Sequence, residues 1–384
     1  MPVEAIASAT GTTMEITVSK FELLRELTAT QGVVERKTTI PILSNYLFEA
    51  AGNKLTLTAT DLDLSLRTSC DVKVKKEGSC TIPARKLYDY VKLLPDADLT
   101  IKLLENHWIS IRCGRSNTKM VGMAKSNFPS LPVFPSAGVV QIPAKVLRAL
   151  IAKTGFSIAS EESRYTLNGG LMIIKPESIT MVATDGHRLA HVERSGEKFE
   201  GVSGELKTLI PKKAMDELKS LLDSTEAETV DFAKDDSTLF FRIGPRLLTS
   251  RQLTGQFPNF EAVLPKDNNK IINLHSAELS AAIARVAQFA DERSRAVRIK
   301  LEKGELKLSA SSTETGESED SLEVDYDGDP LSIGFNATYL TDFLKASGAS
   351  DVKLELKDAQ SAGQFRPADG EEYKYRYVVM PMRI

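Results

Sequence analysis

The sequence predicts an α+β chain made of three copies of one unit, each a layer of antiparallel strands carrying two helices. Three observations predict this: a long internal period, stretches of strict alternation, and six stretches with one-sided helical spacing.

The period comes first. The alternating run Leu55-Thr56-Leu57-Thr58 ends in Ala59-Thr60-Asp61, and Ile179-Thr180-Met181-Val182 ends in Ala183-Thr184-Asp185. A fainter echo is Leu306-Lys307-Leu308-Ser309-Ala310-Ser311. The steps from Ala59 to Ala183 to Ala310 are 124 and 127 residues, and those from Phe128-Pro129 to Phe257-Pro258 to Met380-Pro381 are 129 and 123. Two independent markers share one period, which divides the chain into a loose extension at 1–13 and units at 14–137, 138–265 and 266–384.

Alternation over Lys54–Arg67 and Asp98–Arg112 predicts half-buried antiparallel strands. Helices are expected to start near Lys20, Ala144 and Ser276, and again near Ala84, Lys212 and Ala337. Leu23, Leu24 and Leu27, like Leu87, Val91 and Leu94, follow the three-and-four spacing of an amphipathic face. Ser19, Ser276 and Asn336 are the expected N-caps.

A length of 384 residues suits two or three domains, and 42% hydrophobic with 26% charged residues is ordinary globular composition. No apolar run reaches the ~18 residues of a membrane span. Met1–Thr13 lacks the charged start and apolar core of a signal peptide, so the expectation is a soluble cytoplasmic protein. Cys70, Cys80 and Cys113 cannot all pair and show no Cys-x-x-Cys spacing, which fits a reducing compartment. The net charge of −3 argues against a generally basic nucleic-acid binder. Yet the six helical stretches hold 13 Lys and Arg against 7 Asp and Glu, a surplus of +6 that leaves the remainder at −9. Solvated helix faces explain such a surplus as readily as a positively charged surface does.

Catalytic constellations are not found. His107, His187, His191 and His275 form no metal-binding spacing, and the sequence has neither a Gly-rich phosphate loop nor a nucleophile elbow. Asp185-Gly186-His187-Arg188 offers an Asp–His pair without a placed nucleophile, and Asp-Gly reads first as a tight turn. The acidic stretch from Thr313 to Glu323 lacks a calcium-loop pattern and reads as a solvated hairpin tip. No cofactor and no metal is implied.

Several segments are more specific: Thr38-Thr39-Ile40-Pro41-Ile42-Leu43, Ile82-Pro83-Ala84-Arg85-Lys86, Arg164-Tyr165-Thr166-Leu167-Asn168-Gly169, Ala183-Thr184-Asp185-Gly186-His187-Arg188-Leu189, Gly334-Phe335-Asn336, and the terminal Tyr377-Val378-Val379-Met380-Pro381-Met382-Arg383-Ile384. In order and spacing they resemble the bacterial DNA polymerase III β sliding clamps, from about Met14 to the last residue. The resemblance implies three DNA-clamp domains per protomer and a head-to-tail homodimer. The result would be a six-domain ring with sheets outside and helices lining a hole for duplex DNA. It implies no catalysis. The expected partners are a second copy, DNA bound without sequence preference, the replicative polymerase, a clamp loader, and other polymerases and repair factors, with no membrane. A positive lining inside an acidic exterior would reconcile the charge pattern with DNA.

Carried over residue by residue, the resemblance implies a peptide-binding groove at Leu167, Thr184, Gly186, His187, Arg188, Leu189, Pro258, Val263, Asn336, Tyr339, Val378, Val379, Met380, Pro381, Met382 and Arg383. Arg188 and Arg383 are expected to fix polar peptide atoms there. The lining candidates are Arg25, Lys37, Arg85, Lys86, Lys145, Arg148, Lys153, Lys212 and Lys213, and the protomer junction is expected at Thr118, Met120, Gln288 and Phe289. Departures stand beside this. Ala262 occupies a position where the family carries arginine, and Thr166 one where it carries an aromatic residue. Thr118 and Gln288 replace larger apolar residues, leaving Met120 and Phe289 as the apolar contacts and Lys119, Arg293 and Arg295 as possible ionic ones. Two other readings stand against the clamp: a hydrolase built on Asp185 and His187, and a monomeric peptide-binding scaffold.

Overall fold

A computed structural model describes residues 14–35, 38–161, 164–369 and 372–383. Lys37, Ile384 and the extension at 1–13 lie outside the described residues. In chain order the first repeat contains β1 (Glu15–Ser19), α1 (Lys20–Thr30), β2 (Asn45–Ala51), β3 (Lys54–Thr60), β4 (Leu64–Asp71), β5 (Lys73–Lys76), β6 (Gly78–Pro83), α2 (Ala84–Leu93), β7 (Asp98–Leu103), β8 (Trp108–Cys113) and β9 (Ser116–Val121). The second contains β10 (Val140–Pro143), α3 (Ala144–Thr154), β11 (Gly169–Lys175), β12 (Ser178–Thr184), β13 (Arg188–Ser195), β14 (Leu206–Pro211), α4 (Lys212–Asp223), β15 (Thr229–Lys234), β16 (Thr238–Ile243) and β17 (Arg246–Arg251). The third contains β18 (Lys270–His275), α5 (Ser276–Val286), β19 (Ala296–Glu302), β20 (Glu305–Ser312), β21 (Gly316–Glu323), β22 (Leu331–Asn336), α6 (Ala337–Ser347), β23 (Asp351–Leu356), β24 (Gly363–Pro367) and β25 (Lys374–Val379). All six helices begin where the sequence placed them.

Ser19 caps α1 by accepting from the backbone N–H of Glu22, and Asn336 caps α6 by accepting from Thr338 and Tyr339. Ser276 does not cap. It is the first residue of α5, behind His275, and its buried hydroxyl has no hydrogen-bond partner among the described residues. The acidic stretch is likewise more than a hairpin tip: its second half is the strand β21, paired from Glu323 through Gly316 with β20.

The chain folds as two compact units, 1–139 with 220–251, and 140–219 with 252–384. In the first unit one antiparallel sheet runs β5-β1-β7-β8-β9, and a second runs β15-β16-β17-β4-β3-β2-β6. The pairing of β17 with β4 joins the second repeat to the first. A buried charge cluster locks it: Arg246 of β17 donates to Glu26 of α1 at 3.0 Å, with side-chain exposures of 7% and 1%. Thr68 and Arg25 donate to the same carboxylate at 2.6 and 2.7 Å. Burial pushes the Glu26 carboxyl up, but hydrogen bonds from Arg246, Thr68 and Arg25 outweigh it and hold it below the usual range.

In the second unit one sheet runs β14-β11-β12-β13-β25-β24-β23-β18 and another β21-β20-β19-β22. Here β13 pairs with β25, joining the second repeat to the third. The corresponding lock is aromatic. Phe343 of α6 packs on Phe365, Tyr375 and Tyr377 with ring centroids 5.6, 5.2 and 5.0 Å away.

Candidate functional site

The site is built on one face of the β11-β12-β13-β25 sheet. Side chains alternate across a strand, so cross-strand rows share a face. One row is Thr184, Leu189 and Val378; the next is Leu209, Leu171, Val182, His191 and Arg376. Leu171, Ile173, Val182, Leu189, Leu209 and Val378 form one apolar cluster, on which Leu253, Phe257, Phe260 and Leu264 of the connecting segment pack. Pro258 and Val263 of that segment stay exposed, Val263 at 43%.

The turn between β12 and β13 supplies the rim. The Asp185 carboxylate accepts from the backbone N–H groups of His187 and Arg188 at 2.9 and 3.0 Å. The Thr184 hydroxyl donates to the Arg188 carbonyl and accepts from Gly186. Gly186 has φ +90°, a backbone region that side chains avoid, and an added Cβ would stand 2.7 Å from Arg164. Asp185-Gly186 is therefore a turn, and no nucleophile is needed to explain its carboxylate.

The C-terminal tail closes the rim. Val378 and Val379 are buried in β25. Beyond them the Met380 N–H donates to the His187 carbonyl at 2.9 Å, and the Met382 N–H to the Gly334 carbonyl at 2.8 Å. The tail thus crosses from one sheet to the edge of the other, leaving Met380 45% exposed and Arg383 exposed. Leu167, in the short turn Tyr165–Leu167, is half-buried, and Tyr165 is 54% exposed beside it in the chain.

Arg188 differs from its expected role. Its guanidinium donates to Asp185 at 3.0 Å, to Asp342 of α6 at 2.7 Å and to the Phe156 carbonyl at 2.7 Å, and it stacks 4.3 Å over the Tyr339 ring. With its side chain 10% exposed, it ties the turn to α6. Asn336 and Tyr339 act in the same way: Asn336 caps α6 and donates to Ser294, and the Tyr339 carbonyl accepts from Tyr377.

The basic candidates divide. Arg85, Lys86, Lys145, Arg148 and Lys213 are exposed, and Lys212 is half-buried. Arg25 is tied to Glu22 and Glu26, and Lys153 donates to the Ser347 carbonyl while lying over Tyr375. On α4, burial pushes the Glu217 carboxyl up to about 7, so near neutral pH this helix is more positive than its formal charge.

At the expected junction, Gln288 is exposed and Phe289 half-buried, in a short turn after α5. Thr118 is half-buried on β9. Met120 is 8% exposed, so it belongs mainly to its own sheet's core rather than to a free apolar contact. Sequence reasoning missed its neighbours. Val121 of β9 and Trp108 of β8 lie opposite each other, 52% and 43% exposed. It also missed that β9 and β21 end their sheets. Two signals were readable in the sequence, an isolated Trp on an alternating strand and the acids Glu317, Glu319 and Glu323 spaced by even steps.

Among the described residues, no group of three or more His, Cys, Asp or Glu could hold a metal, and no helix is long and apolar enough to cross a membrane.

Comparison with known proteins gives the family and the fold. Three family models match in succession: the N-terminal domain of the DNA polymerase III beta subunit over residues 14–132, its central domain over 141–259 and its C-terminal domain over 261–383. The beta sliding clamp of Caulobacter vibrioides is 35% identical over 377 residues, 97% of this chain and 100% of that protein. The beta sliding clamp of Vibrio cholerae is 33% identical over 373 residues, with the same coverage. Among solved structures, a Bartonella birtlesii sliding clamp bound to griselimycin has a TM-score of 0.91 at 35% identity, covering 97% of this chain and 100% of that one. The fold is that of three repeated clamp domains. The chain belongs to the DNA polymerase III beta subunit family, the beta sliding clamps.

Proposed function

We propose that two copies of this chain close head to tail into a ring around duplex DNA and tether the replicative polymerase through the groove at Leu189, Val378 and Met380. The chain acts in the cytoplasm as a non-catalytic accessory subunit. A clamp loader opens the ring, and other polymerases and repair factors compete for the same groove. One observation carries the reading: β25 lies on β13, so Val378 meets Leu189 while the tail is hydrogen-bonded to His187 and Gly334. The buried apolar cluster of Leu189 and Val378, flanked by the exposed Met380 and Val263 and by a polar rim, suits an extended peptide with aliphatic or aromatic anchors.

Closure of the ring uses two of the sheet edges, β9 and β21. Edge β9 carries Lys119 and follows Arg112 and Arg115, whereas edge β21 carries Glu317, Glu319, Asp320 and Glu323. Unpaired edges of opposite charge favour pairing between copies and disfavour like with like. Trp108 and Val121 supply apolar area at the same edge, which compensates for the polar Thr118 and Gln288. The exposed Arg85, Lys86, Lys145, Arg148 and Lys213 meet phosphates, so contact is blind to sequence and weakened by salt.

The test is a fluorescent peptide carrying a polymerase's clamp-binding segment. Truncation after Val379 keeps β25 whole and removes only the tail. Peptide binding falls by about 100-fold or more if the tail closes the groove, since two anchoring contacts are lost. Unchanged affinity would place the groove elsewhere.

A further inference from the structure

Further along the same sheet face the character of the rows changes. Past the row of Leu171, Val182, His191 and Arg376 comes the row of Lys207, Ile173, Thr180, Glu193 and Lys374. Between these rows and the connecting segment lies a cavity of about 370 Å³, walled by Ile173, Phe260 and Leu264 and reached by His191, Arg376 and Lys266. It is within the size range of small-molecule sites. The segment separates it from the peptide groove, because Phe260 and Leu264 pack on the sheet between the two.

Its polar groups are unevenly satisfied. The His191 ring packs against the Phe260 ring with centroids 5.6 Å apart and planes tilted by 35°, and its buried Nδ1 has no hydrogen-bond partner among the described residues. Arg376 donates from Nε to Gln364 at 2.6 Å and from Nη2 to the Pro265 carbonyl at 2.7 Å. Three of its five N–H groups remain without a partner among the described residues. The nearby Glu355 is engaged by Arg366 and Gln364. Lys266 is exposed and makes no ion pair among the described residues. The acids are mostly occupied: Glu205 bridges Lys175 and Lys207, and Glu193 is held by Lys374 and Ser195. Glu261, exposed on the roof, is the remaining acid, and it disfavours ligands of higher negative charge.

We propose that this cavity binds a small organic monocarboxylate with a flat apolar body. The carboxylate bridges the free N–H groups of Arg376 and the Lys266 ammonium, with His191 Nδ1 completing the polar end. The body slides between Ile173 and Leu264 against the Phe260 ring. A planar guanidinium with unused donors matches a carboxylate better than any neutral group does. Partly buried donors without partners are what such a ligand satisfies.

The test uses the full-length protein and 4-fluorobenzoate observed by fluorine NMR, with 4-fluorobenzyl alcohol as the neutral counterpart. Saturable binding of the acid is expected, about tenfold tighter than the alcohol, with about tenfold loss in Arg376→Gln and about threefold in Lys266→Ala. Lys266 is exposed and makes no ion pair among the described residues, so its replacement leaves the fold intact and keeps the test valid if Arg376→Gln unfolds. Absence of saturation, equal binding of the alcohol, or unchanged affinity in Lys266→Ala overturns the assignment. No partner peptide enters the assay, so its failure leaves the groove reading standing, and the converse holds.

Discussion

The first and second repeats carry the same turn on the same kind of sheet, yet only one turn rims a groove. Asp61 and Asp185 each accept from the backbone N–H groups two and three residues on, and Thr60 and Thr184 each donate to the carbonyl four residues on. The strand registers match too: Thr60 opposes Ser65, which opposes Thr249, as Thr184 opposes Leu189, which opposes Val378. The side chains differ. Where the second unit's sheet face presents Leu189, Val378, Val182 and Leu209, the first presents Ser65, Thr249, Thr58 and Thr81, all buried. The backbone of a repeat is thus copied with its turn chemistry, while four positions on that sheet face decide whether it can bind an apolar peptide.

The locks beneath the two faces differ as well, charged in one and aromatic in the other, and this gives the largest expected effect. Arg246→Met leaves Glu26 buried without its main partner and destabilises the protein by about 3–5 kcal/mol in denaturant unfolding. In the aromatic lock, Phe343→Leu costs about 1–3 kcal/mol. A smaller loss at Arg246 than at Phe343 would break the contrast. The charged lock also carries a pH signature. The Glu26 carboxyl is held below its ordinary value in the folded state, so its contribution is present above the unfolded value of 4.5 and fades as pH falls through the lower folded value. Arg246→Met should flatten that acid-side loss.

Exchanging the faces is the next largest effect. Leu189→Ser with Val378→Thr gives the second face the residues of the first and lowers partner-peptide affinity by about 100-fold, at roughly tenfold per buried aliphatic group. Retained affinity in a fluorescence titration would mean that the face does not select the peptide.

The turns themselves offer a smaller one. Leu62 occupies φ +84° where the other turn has Gly186 at φ +90°. Leu62→Gly relieves that strain and stabilises by about 1 kcal/mol or less, whereas Gly186→Ala destabilises by about 1 kcal/mol or more because its Cβ meets Arg164. Smallest per site is the DNA surface. Neutralising Lys145, Arg148 and Lys213 together should lower the slope of log affinity against log salt by about one per lost phosphate contact.

Much of this was legible in the sequence, for local reasons. Helix starts at Lys20 and Ala337 follow from three-and-four spacing and the caps Ser19 and Asn336, and the turns follow from Thr-Asp-x-x. What escaped depends on distant partners. Nothing near Arg188 shows that Asp342, 154 residues away, will take its guanidinium. Nothing near Met120 shows that it will be covered by its own repeat. The Thr313–Glu323 stretch reads as a polar tip because the strand within it, β21, is a sheet edge with five of its eight residues exposed. Ser276 failed as a cap because His275 takes that position.

Small-angle X-ray scattering over a concentration series is the sharpest test of the ring. A particle of twice the 42.1 kDa chain with a hollow pair-distance profile, closed through β9 and β21, is expected. A compact 42.1 kDa monomer at every concentration would contradict it.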